Sequence, residues 1–143
     1  MATGLQRLMR RGLLTRLKSN APLIALVPAG QIDQYGEPVW PFIALEDPVT
    51  RRLRAACVNG GLIAFDIHAF ARAREVAGEV VEDARDHAGR IGGAIEAALS
   101  DCRIALEDGS IARIEISDMR LMKDEVPGAF HYFAQVNTRV LAA

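Results

Sequence analysis

The sequence predicts an α+β fold. Two stretches repeat their apolar residues at helical spacing, and several others alternate apolar and polar residues in the manner of half-buried strands. Asp108-Gly109, a dipeptide suited to tight hairpin turns, separates two of the alternating stretches. With 143 residues, half of them hydrophobic and about a quarter charged, the chain is sized for one domain over residues 1–143, able to bury a real core.

Leu5, Leu8, Met9, Leu13 and Leu17 trace one stripe of an N-terminal helix, with Gln6, Arg7, Arg10, Arg11 and Lys18 around its other faces. Thr3 and Gln6 have the spacing of a capping box. Asn20 and Pro22 open a short second helix through Leu26, stopped by Pro28 and Gly30. Gln31 to Pro41 reads as a loop broken by Gly36, Pro38 and Pro41, and Phe42 to Glu46 as a strand that Pro48 ends. The stretch DPVTRRLRAACVNGG, residues 47–61, has turn-forming residues at both ends and reads as a long connection. A strand follows from Leu62 to Phe70, with Ile63, Phe65, Ile67 and Ala69 on one face and Asp66 and His68 on the other.

From Ala71 to Leu99 the period is helical. Ala73, Val76, Ala77, Val80, Ala84, Ala88, Ile91, Ile95, Ala98 and Leu99 share a stripe, predicting one helix roughly 40 Å long. Gly89, Gly92 and Gly93 weaken it, each by about 1 kcal/mol relative to Ala, which opens the helix to a kink. Ile104–Leu106 and Ile111–Ile116 flank the Asp-Gly turn, and a shift of apolar phase to Met119 and Leu121 predicts a bulge. Val126-Pro127-Gly128 then turns the chain into a last strand. There Phe130, Tyr132, Ala134, Val136, Thr138 and Val140 alternate with outward His131, Gln135, Asn137 and Arg139.

The formal net charge of -1 argues against a protein built to grip phosphate backbones. No apolar run approaches the ~20 residues a bilayer span needs, and the N-terminus lacks the unbroken apolar core of a secretory signal. Cys57 and Cys102 stand apart with no CxxC, as expected of reduced thiols in a cytosolic chain.

His131 follows an acidic turn, Asp124-Glu125, but a general base needs a positioned partner and a pocket, and an outward strand histidine ordinarily meets solvent or an interface. Asp66 and His68, at i and i+2, could offer two metal ligands and His131 a third if the strands pair, which would suit a small metal-dependent hydrolase. His87, beside Asp86, reads as a surface residue. HAGRIGG, residues 87–93, lacks the Lys-Ser/Thr of a P-loop, and small residues that let a helix approach another backbone explain it better. No serine sits in a nucleophile elbow. The residues specify no catalytic group, no cofactor site and no metal site.

The order of the pieces carries a resemblance. "LLTRLKSNAPLIALV", "GQIDQYGEPVWPFIALED", "AFDIHAFARAREVAGEVVEDARDHAGRIGGAIEAAL", "IALEDGSIARIEI" and "GAFHYFAQVNTRVL" follow one another. In that order they look like the small tail-completion or tail-terminator proteins of long-tailed, siphophage-like phages and phage-like gene transfer agents. The chain departs from the usual pattern in its glycines at 89, 92 and 93 and in its arginine-rich 51–54 connection.

The resemblance implies an antiparallel sheet of about four strands with the long helix and the N-terminal helix on one face. It also implies a homo-oligomeric ring, typically of six copies, that ends tail-tube growth and joins the tube to the head-tail connector. Tube protein and connector would be its partners, and DNA would pass through the lumen without specific binding. The protein would act in the bacterial cytoplasm during assembly and then in the particle, with no enzyme activity, no cofactor and no membrane. A sheet covered on one face leaves its other face and edges needing protection, which a head-to-tail contact closing by rotation supplies to every copy. Arg51, Arg52 and Arg54, with outward Asp66, His68 and His131, are the candidate contacts to a neighbouring subunit or the tube. The alternative from another class is a monomeric or dimeric binding module that uses the open sheet face.

Overall fold

Alternation in two long strands organises the molecule. Strands β3 (Val58–Arg72) and β8 (Ala129–Leu141) pair antiparallel from Gly60 opposite Leu141 to Arg72 opposite Ala129. Their apolar sets therefore face the same way: Ile63, Phe65, Ile67 and Ala69 with Tyr132, Ala134, Val136 and Val140, all buried. The structure, a computed structural model, describes residues 4–46, 48–55 and 58–141, with the side chains of 52–55 and 58–60 outside that description.

The sheet has six antiparallel strands. Strand β1 (Phe42–Leu45) and strand β2 (Val49–Ala55) both pair with β3, and β7 (Ile111–Lys123) and β6 (Cys102–Ala105) continue the sheet beyond β8. Helices α1 (Leu5–Lys18), α2 (Ala21–Ile24) and α3 (Ala84–Leu99) cover one face. The α1 stripe is as the spacing predicts, and Asn20 Oδ1 accepts from the Leu23 amide 3.1 Å away to start α2. Thr138, buried in the core, donates its hydroxyl to the Ile63 carbonyl at 2.9 Å, so no polar group is left orphaned there. The bulge lies where the phase shift placed it, between Ile116 and Asp118. In the β6–β7 turn, the Ser110 amide and hydroxyl both donate to the Asp108 carboxylate, at 3.0 and 2.9 Å, and hold its pKa below the usual range.

Several expectations are corrected. The 47–61 connection is instead a hairpin of β2 with the start of β3, from Val49 opposite Ala64 to Ala55 opposite Val58; Asp47, Ala56 and Cys57 lie outside the described residues. Its misleading signal was glycine. Gly61 sits inside the strand because a Cβ there would come within 3.0 Å of Leu5 on α1, and glycine in a strand often marks such close approach. The sheet thus has six strands rather than about four.

The long helix begins not at Ala71 but at Ala84, capped by Asp83, whose carboxylate accepts from the Asp86 amide at 2.8 Å. Between β3 and α3 stands a separate hairpin, β4 (Arg74–Val76) and β5 (Glu79–Glu82), turned by Ala77 and Gly78 at φ of 52 and 81°. Helical spacing of Ala73, Val76, Ala77 and Val80 was coincidental; β-branched valines around a turn glycine prevailed. At its base, Arg90 of α3 grips Glu82 through two parallel bonds of 2.7 and 2.8 Å, which lower the Glu82 pKa. His87 is buried rather than on the surface, its Nδ1 2.8 Å from the Arg72 carbonyl, tying α3 to the end of β3. Thr3 of the expected capping box lies outside the described residues, and Gln6 donates to Thr50 and Pro48 of the β2 end.

The α3 glycines divide by what faces them. A Cβ on Gly92 would collide with the Tyr132 ring, one on Gly89 would meet Leu121 at an ordinary 3.6 Å, and one on Gly93 would meet nothing within 4 Å. Gly92→Ala should therefore destabilise the fold by about 1–3 kcal/mol through overpacking. Gly93→Ala should stabilise it by up to about 1 kcal/mol through helix propensity. Urea unfolding of the two variants checks this opposition of sign.

Candidate functional site

With helices on one side only, the alternation that builds the core also lines up a second set of side chains on the open face. At one end of that face, rings from three strands and the preceding loop meet. Phe42 of β1 and Phe70 of β3 stack with centroids 4.6 Å apart, and Trp40 packs edge-on at 5.0 and 6.3 Å from them. The Arg72 guanidinium lies 4.2 Å from the Trp40 ring centre, a cation–π contact. On its other side Phe70 stacks on His131 of β8 at 4.3 Å, and His131 is followed by His68 and Phe133 at 4.7 and 5.3 Å. Each of these rings is half-buried.

Asp66, His68 and His131 are thus brought to one face, as their phase predicted, yet they are neither solvated nor arranged as ligands. His68 Nδ1 and His131 Nε2 lie within hydrogen-bond reach, so one ring donates and the other must be neutral to accept. The other nitrogen, His68 Nε2, is buried without a hydrogen bond; Glu46 Oε1, 2.8 Å away, is placed for charge attraction but out of line. Burial and the neighbouring Glu46 charge raise the Asp66 pKa, opposed by His68. Burial and then His68 lower that of His131, against the opposing pull of Asp124 and Glu46. Among the described residues, no three His, Cys, Asp or Glu side chains are set to hold a metal ion.

At the other end of the face the side chains are charged. Register sets Arg103 of β6 opposite Arg113 of β7, Arg113 opposite Arg139 of β8, Arg139 opposite Leu62 of β3 and Leu62 opposite Arg51 of β2. The result is a transverse row of four exposed arginines interrupted by one leucine. Three of them border a cavity of about 540 Å³ whose walls include Val49, Leu62, Asp66, Gln135 and Asn137. Arg51 belongs to this row; the side chains of Arg52 and Arg54 lie outside the described residues. Sequence reasoning missed the aromatic members Trp40, Phe42, Phe70 and Phe133, and the row itself. Even the Arg103–Arg113 pair does not follow from the turn dipeptide, since a two-residue Asp108-Gly109 turn would set Arg103 opposite Ile114, whereas the register is centred on Asp108.

The depressed pKa of His131 carries a testable sign. The unfolded chain takes up this proton near the ordinary value of 6.5 and the folded chain only at lower pH, so between the two the unfolded state binds more protons. Stability should fall as pH drops below about 6.5 through this window. The raised Asp66 pKa acts in the opposite direction, nearer its own lower range. His131→Gln should therefore lose less stability than the wild type between pH 7 and pH 5, measured as the urea midpoint at each pH.

The sheet, its one-sided helices and this open face can be set beside known proteins. A comparison with curated proteins returns no match. Among solved structures, a chain from the virion of a native gene transfer agent particle aligns with a TM-score of 0.76, covering 99% of this chain and 100% of that one at 14% identity, a likeness of fold. The sequence profile described as tail completion protein gp17 matches residues 11–141, from the second half of α1 to the end of β8. All of the described structure except the first half of α1 falls within that match, and the chain belongs to the tail completion protein gp17 family.

Proposed function

We propose that this protein is a structural component of a phage-like particle, a tail terminator whose copies, six to a ring, cap the tail tube and join it to the head-tail connector. The observation that carries this reading is the family match over nearly the whole chain. The open face supports it, because a sheet with half-buried aromatics and charged rows on its uncovered side is suited to meeting other protein. Asp66, His68, His131 and Arg51 all stand on that face and form part of the proposed contact to a neighbouring subunit or the tube. Arg52 and Arg54 follow Arg51 along β2 and belong to the same proposal. The likeness to a gene transfer agent virion chain suits a place in such a particle after assembly in the bacterial cytoplasm. The role needs no catalysis and no cofactor, and a chain of formal charge -1 lets DNA pass without being gripped.

Removing the protein from a producing cell should leave DNA-filled heads beside unjoined tails, or tails of uncontrolled length, counted by electron microscopy. Particles of normal length and normal DNA delivery without it would overturn the reading.

A further inference from the structure

The β4–β5 hairpin and the arginine row are opposite in character and sit at opposite ends of the sheet. The hairpin leaves the sheet just beyond Arg72 and carries exposed Val76, Val80 and Val81 beside exposed Glu75 and Glu79. Among the described residues it pairs with no third strand, and a two-stranded hairpin alone is marginal in water. Facing arginines across adjacent strands, about 4.8 Å apart, repel one another. Among the described residues only Arg113 of the row has an acidic partner, Glu115 at 3.3 Å. Val49 and Leu62 beside the row add apolar surface to the same cavity. Arg51, Arg113 and Arg139 outnumber Asp66 and Glu115 in the lining, so an acidic, valine-bearing tip matches that seat in both net charge and apolarity.

We propose that the β4–β5 hairpin of one copy docks on the arginine row of the next, its glutamates against the arginines and its valines against Val49 and Leu62. From Leu62 to Arg72 the two surfaces are separated by about 33 Å along β3, so a copy cannot seat its own hairpin. The contact is head-to-tail, and repeated with closure by rotation it gives a ring; for that closure in a particle the proposal rests on the tail-terminator reading above.

Charge reversal tests it. Let one variant carry Glu75→Lys and Glu79→Lys, and another Arg113→Glu and Arg139→Glu. Both sets are exposed, and thermal melting confirms that each variant folds. Each alone meets its neighbour with like charge and should lose at least about tenfold in self-association, read by sedimentation, and in particle completion in a cell lacking the wild-type protein. Mixed, the two variants are complementary at every contact, so alternating copies should restore assembly. Single variants that assemble and complete particles like the wild type, or a mixture that fails to recover, would overturn the proposal. Binding of a short DNA duplex that the arginine variant abolishes, with assembly unaffected, would give the row to phosphates and equally overturn it. If particles form normally without the protein while sedimentation still shows loss and rescue, the contact stands and the tail-terminator reading falls.

Discussion

The antiparallel register of β3 on β8 is the constraint on which the rest depends. Side chains alternate along both strands, so that one register decides which residues are core and which form the open face. A slip of β3 by one residue against β8 would turn Asp66 and His68 toward the helices and Phe65 and Ile67 toward solvent. Buried area and unpaired charge both resist such a slip, since ionised groups in a core are costly without partners. The open face is thus specified by the same hydrophobic pattern that builds the core, although none of its residues contributes to that pattern.

The helix layer is fitted to the sheet by what is missing as much as by what packs. Gly92 lets α3 lie against the Tyr132 ring, Gly61 lets β3 pass beneath Leu5, and a Cβ on Gly12 of α1 would run into Leu106 and Ile104. Each omission lets a side chain of the facing element lie directly against backbone. Tyr132 donates its hydroxyl to Glu96 at 3.4 Å, and the burial that this approach creates raises its pKa.

Local chemistry made part of this legible in the sequence. The stripe of α1, the Asn20 cap, the phases of β3 and β8, the Asp-Gly turn and the bulge each depend on residues close together in the chain. What failed depended on partners distant in sequence. Asn59-Gly60-Gly61 looked like a turn because nothing local shows that α1 crosses over Gly61. The valines of the β4–β5 hairpin fitted a helical stripe because alanines around them fit any period. His87 looked exposed because its partner, the Arg72 carbonyl, belongs to another element. The aromatic run gathers residues from 40 to 133, and the arginine row draws on four strands, so both became visible only once register was known.

The bidentate grip of Arg90 on Glu82 has a consequence for timing. Together with the His87 bond that ties α3 to the Arg72 carbonyl at the end of β3, it anchors the chain on both sides of the β4–β5 hairpin to one helix. An arm anchored in this way already has its direction before it meets anything, so little conformational freedom remains to be lost on contact. Association through a preset arm is governed by encounter and orientation rather than by a folding step.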